Sequence, residues 1–173
     1  MNAFSRAGWL PAERLNLKTE AETFFAVADH HSYKEGPVSS LLLAGQKPAL
    51  VLEKETNTFA KRHHIRIWRQ SGTFDGMPVW IGAGTHDIGI DFSRKERTFS
   101  HSVDGDIDQE RAKIENDLIF AGDVAAAGMV DRAAAPRSFQ NATGDHLETD
   151  GAIAVLRLRP IAPFARTAAQ SDQ

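Results

Sequence analysis

Three strand-like runs crowd the middle of this chain, at His63 to Arg69, Pro78 to Ile88 and Arg97 to Val103. Two short breakers, SGTFDGMP and GIDFSRKE, part them and are rich in turn-forming residues. The spacing predicts a hairpin around Gly72 to Gly76. Upstream, GPVSSLLLAGQKPALVLEKE holds two further strand-like runs, Val38 to Leu43 and Ala49 to Leu52, separated by a Gly-Gln-Lys-Pro turn. Downstream, GMVDRAAA predicts a short strand and AIAVLRLRP a final one, with PRSFQNATGDHLETDG between them as a polar loop. Helical spacing is found in MNAFSRAGW, with Gly8 as its stop, and at Lys18 to His31, where Ala21, Phe24, Phe25 and Ala28 share a face. The clearest helix is DIDQERAKIENDLIFAGDV, with Ile107, Ile114, Leu118 and Ala121 along one stripe and Gly122 as its stop. This mixture predicts an α+β fold: a single domain with a mostly antiparallel sheet and helices packed on one face. Residues 1–160 are expected to form the domain and 161–173 a flexible tail.

A chain of 173 residues suits one core of ordinary size. The formal net charge of −3 gives no reason to expect nucleic acid or an anionic membrane as a partner. No apolar run reaches the roughly 18 residues of a spanning helix, and MNAFSRAGWLPAERLN lacks the apolar stretch of a signal peptide. The cysteine count is zero, which excludes disulfides, thiolate catalysis and thiolate-bound metals.

Neighbouring residues in a strand point to opposite faces. The adjacent histidines of KRHHIRIW are therefore divided: His63 goes with Ile65 and Ile67, and His64 with Arg66 and Trp68. In the next run, Asp87 shares parity with Val79, Ile81 and Ala83, while His86 has the opposite parity. His101 lies between Phe99 and Val103. His63, Asp87 and His101 are thus all expected on buried faces, with His63 close to Asp87 and His101 roughly 7–10 Å farther along. Buried ionisable groups need a partner or a metal. This trio is read either as a His–Asp brace of the sheet or as an acid–base or divalent-metal site, with His63, Asp87 and His101 as ligands.

Four acids, Asp104, Asp106, Asp108 and Glu110, crowd the start of the clearest helix. An EF-hand loop needs Gly at its sixth position, where Gln109 stands, so that motif is rejected. Asp106 can cap the helix and Gln109 can complete a capping box; an acid from Asp104 to Glu110 that is surplus to capping, Asp106 foremost, is also a candidate general base or hard-cation ligand of the site. Arg62 and Arg66, beside His64, are candidates for holding a phosphate or carboxylate, or form a solvated strand face. NATGDHLETDG reads as a turn, with Asn141 as a candidate substrate contact. No G-x-S-x-G, H-E-x-x-H or phosphate-binding loop is present.

The stretches AFSRAGW, GPVSSLLLAGQKPALVLEK, KRHHIRIW, MPVWIGAGTHDIGI, TFSHSVDGDIDQERAKIENDL and NATGDHLETDGAIAVL, taken together, resemble the LssY C-terminal domain family over nearly the whole chain. Two positions depart from the pattern: Ser102 stands where a second histidine is common, and His86 where a less polar residue is usual. The resemblance implies a soluble bacterial domain, often appended to membrane proteins similar to phosphatidic-acid phosphatases. It carries no established catalytic residues. It implies a cytoplasmic place, or a membrane association through a fused or partner protein. Two functions are then expected. One is a hydrolase-like site, metal- or His/Asp-dependent, for a phosphorylated or lipid-linked substrate, built from His63, His64, Asp87, His101 and Asp106 with Arg62, Arg66 and Asn141 holding the substrate. The other is a non-catalytic regulatory module of a membrane lipid phosphatase or a secretion-associated system.

Overall fold

A computed structural model describes residues 1–12, 41–55, 61–93, 98–141 and 144–160, with the side chains of 90–93 and 98–101 left aside. Its central feature is a five-stranded antiparallel sheet in simple sequence order. The strands are β1 (Leu10–Pro11), β2 (Leu50–Glu55), β3 (Arg62–Phe74), β4 (Met77–Ser93) and β5 (Thr98–Val103). The β3–β4 hairpin is the longest pairing, and its tip explains its register. Phe74 pairs with Met77, leaving a two-residue turn of Asp75 and Gly76. Both have positive φ, 50° and 73°, as a type I′ turn requires and as Asp-Gly accepts at low cost.

Helix α1 (Asn2–Arg6) precedes the sheet, and α2 (Ile107–Phe120) follows it. Asp106 caps α2 by accepting hydrogen bonds from the backbone N–H groups of Asp108 and Gln109. The expected capping box takes a different form: the Gln109 amide donates to the Asp106 carboxylate itself, at 2.8 Å. Gly122 ends the helix at φ 75°. Beyond it, β6 (Val124–Asp131) pairs with β9 (Ala152–Leu158), and β7 (Ser138–Gln140) pairs with β8 (His146–Glu148), both antiparallel.

Ile114 and Leu118 of α2 join Leu52, Ile65 and Ile67 of the sheet in one core, with Ala7 and Trp9 from the N-terminal segment. Burying each large aliphatic side chain contributes about 1.5–3 kcal/mol. Trp9 is fully buried, and its indole N–H donates to Asp117 Oδ2 at 3.1 Å. The sheet face carrying Ile65 and Ile67 is therefore the helix face. Gly82 and Gly84 stand on it, directly opposite Ile67 and Ile65. A Cβ at Gly84 would lie 2.5 Å from Ile114 Cδ1 and 3.0 Å from Glu110 Cγ, so the absence of a side chain is what lets α2 come this close.

The antiparallel sheet, the hairpin, α1, α2 and the final strand agree with the sequence reading. Three particulars differ. Leu43 to Gln46 form a turn closed by a Leu43–Gln46 bridge, and Leu41 and Leu42 before it are exposed and outside any strand, where a strand was expected. The supposed polar loop contains the β7–β8 hairpin, because Asn141 and Asp145 close its turn: Asn141 Nδ2 donates to Asp145 Oδ2, and Asp145 N–H to Asn141 Oδ1. The short strand predicted at Gly128 begins earlier, at Val124. The helix expected at Lys18 to His31, most of the Val38 to Leu43 run and the tail from 161 lie outside the described residues. No described helix is long and apolar enough to cross a membrane.

Candidate functional site

Strand β3 is a wall with a polar cluster on each side. On the helix side, His63 pairs across the ladder with His86, and their rings stack with centroids 4.3 Å apart. His63 Nδ1 lies 2.6 Å from Glu110 Oε2 on α2. His86 Nδ1 is 3.5 Å from Asp104 Oδ2. Glu110 is 3% exposed, and its second oxygen, Oε1, is buried without a hydrogen-bond partner. Burial pushes its carboxyl up to about 7, against the pull of His86 and Lys113. Burial also holds the His63 imidazole below its ordinary value, and the Lys113 cation adds to this.

On the outer side, Arg62, His64 and Arg66 of β3 stand in a row with Glu53 of β2 and Thr85 and Asp87 of β4. Glu53 and Thr85 are directly opposite His64, and Asp87 is opposite Arg62. His64 Nε2 meets Asp87 Oδ2 at 3.1 Å. Arg62 is 3.7 Å from Glu53 Oε2. Arg66 is half-buried, and no hydrogen bond to its guanidinium is found among the described residues. Burial lowers its pKa, and the attraction of Asp87 offsets only part of that. A desolvated guanidinium without a bonded acceptor is the environment that an incoming anion completes.

This geometry redistributes the residues singled out in the sequence. His64, Asp87, Arg62 and Arg66 come together. His63 does not approach Asp87, because the two leave the sheet on opposite sides. Asp87 is buried as expected, at 8% exposed, but on the outer side, the face on which Ile81 is 43% exposed and faces Trp68. The glycines and His86 occupy the packed side instead. The trio of His63, Asp87 and His101 is therefore not one metal centre. His101 pairs its backbone with Ile90, and its side chain is among those left aside. Among the described residues, no three His, Asp or Glu side chains are grouped to hold a metal ion. Asp106 is exposed and engaged in capping α2, and Asn141 in closing the β7–β8 turn.

His86 and Glu53 escaped the sequence reading as site members, and Glu110 stood in it only as one of the four acids at the start of α2. Glu110 had a signal, since it lies four residues before Ile114 on the buried stripe of α2. Glu53 had none without the register of β2 on β3. Two open concavities among the described residues lie elsewhere, one beside Gln46, Arg69, Gln70 and Ser71, the other between the α2 start and the β7–β8 hairpin.

The model of the family described as LssY C-terminus matches residues 1–153. No curated protein and no solved structure matches the chain.

Proposed function

This chain belongs to the LssY C-terminus family, and from that premise we propose that the outer face of its sheet is a His/Asp-dependent, hydrolase-like site for a phosphorylated or lipid-linked substrate. The observation that carries the reading is the row Arg62, His64, Arg66, with Asp87 bonded to His64 and Arg66 half-buried without a bonded acceptor among the described residues. Alternate residues of a strand lie roughly 7 Å apart, so two guanidinium groups flank one imidazole. Arg66 binds phosphoryl oxygens in this scheme, and Arg62, oriented by Glu53, lies within reach of the same group.

Asp87 accepts from Nε2–H of His64 and leaves Nδ1 free to act as a base. Nδ1 takes a proton from the attacking water as the new P–O bond forms. Asp87 stabilises the resulting imidazolium. The same imidazole then returns the proton to the leaving oxygen as the old P–O bond breaks. A membrane phosphatase domain, fused or separate, fits as the partner that brings a lipid-linked substrate to this site.

The test is a titration of the protein with a soluble phosphomonoester and with short-chain phosphatidic acid, read by NMR shifts and by phosphate release. Native protein is expected to bind and turn over. Arg66→Gln is expected to weaken binding at least tenfold, and His64→Gln to abolish release with binding kept. Binding without release would leave the regulatory, non-catalytic module as the function of the same face. No shift at His64 or Arg66 with either ligand refutes the reading.

A further inference from the structure

The helix-side cluster takes no part in the site proposed above. Its geometry is unusual for a stabilising contact. A carboxylate that is 3% exposed has one oxygen bonded to His63 at 2.6 Å and the other buried without a partner. The two residues belong to different elements, α2 and β3, so the contact is a tie between helix and sheet. The helix cannot slide to relieve it, because Glu110 Cγ and Ile114 Cδ1 already sit against the bare backbone of Gly84.

We propose that the His63–Glu110 contact is a pH-dependent latch that holds α2 on the sheet while one proton is shared between the two side chains and loosens as that proton is lost. The groups that face it are His63 from β3, His86 from β4, Lys54 from β2, Asp104 from the turn before α2, and Lys113 and Asp117 from α2; His64 acts from the outer side of the wall. With a proton on the carboxyl, Glu110 donates to Nδ1 of a neutral His63, and no charge is buried. Loss of that proton leaves an anion with a bare, dry oxygen. Acidification instead charges the buried His63 imidazole, whose ring is stacked on that of His86 at 4.3 Å. Because the folded carboxyl holds its proton more tightly than an unfolded one, the stability it contributes is present below about 4.5 and is lost as pH rises towards 7. His63 has the opposite sign, since its depressed value costs stability as pH falls.

Hydrogen exchange of the α2 amides across pH 5 to 9, corrected for intrinsic exchange rates, reads the latch on the full chain. In the native protein relative to Glu110→Gln, protection of Ile107 to Phe120 is expected to fall as pH rises from 5 to 7, by up to about tenfold per pH unit, the limit for one linked proton, and to level off above 7. Glu110→Gln keeps the shape and a hydrogen bond to His63 and removes the ionisation, so the comparison cancels the opposite contribution of His63. Parallel profiles in the two proteins overturn the proposal. If the variant does not fold, carbon-13 titration of the native Glu110 carboxyl decides. A midpoint near 7 supports the latch, and one near 4.5 overturns it.

Discussion

Gly84→Ala is the sharpest probe of how closely α2 is seated. The new methyl would sit 2.5 Å from Ile114 Cδ1 and 3.0 Å from Glu110 Cγ, and the first distance is shorter than real carbon contacts allow. Overpacking of this kind costs about 1–3 kcal/mol. Replacing glycine within a strand returns roughly 0.5–1 kcal/mol through the unfolded chain. The net expectation is a loss of about 1–2 kcal/mol. Urea unfolding followed by tryptophan fluorescence measures it. With a slope on the order of 2 kcal/mol/M, the midpoint falls by about 0.5–1 M. Ile114→Val deletes the clashing Cδ1 and alone costs about 0.5–1.5 kcal/mol. In the double variant the methyl added at Gly84 occupies the space that Cδ1 leaves, so the two losses should fall short of their sum by at least about 0.5 kcal/mol. A Gly84→Ala protein as stable as the native one, or losses that simply add, would refute the argument that the helix rests on bare backbone.

Leu118→Ala is expected to cost about 2–5 kcal/mol, since Leu118 is 2% exposed in the core, and the same urea series checks it. Asp150 accepts two hydrogen bonds from Arg111, which hold its carboxyl down at about 2. Its stabilising contribution is complete above the ordinary carboxylate value and is lost as pH falls towards 2. Carbon-13 titration should place the midpoint near that value and return it towards 3.8 in Arg111→Ala.

How far the sequence could be read depended on what kind of residue carried each signal. Strand β3 was legible because Ile65 and Ile67 alternate with polar residues, and this fixed the opposite facing of His63 and His64. Strand β4 misled because its packed side is made of Gly82 and Gly84. Close packing there needs missing side chains, which a hydrophobic pattern cannot register, and the alternation of Val79, Ile81 and Ala83 marked the more open side. Glu110 was in view among four acids but was not singled out. Acids at a helix start read as capping and dipole partners, and Asp106 does play that part, while Glu110 turns one step farther, into the core. The β7–β8 hairpin was missed because its strands are three residues long and polar at the turn. Four of the candidate residues still met on one face, since strand parity alone groups Arg62, His64 and Arg66.

The wall formed by β3 also sets which changes of length this hairpin can accept in evolution. Deleting one residue just before His63 would move His64 to the helix side, and would exchange Ile65 and Ile67 for Arg66 and Trp68 against α2. Both clusters and the core would be lost in one step, whereas a change of two residues would keep the alternation. The irregularity between Arg69 and Thr73 lies beyond the part of the strand that carries the two clusters. Insertions and deletions among relatives should therefore gather between Arg69 and the Asp75–Gly76 tip, where an extra residue is absorbed as a bulge and the inner register is left untouched.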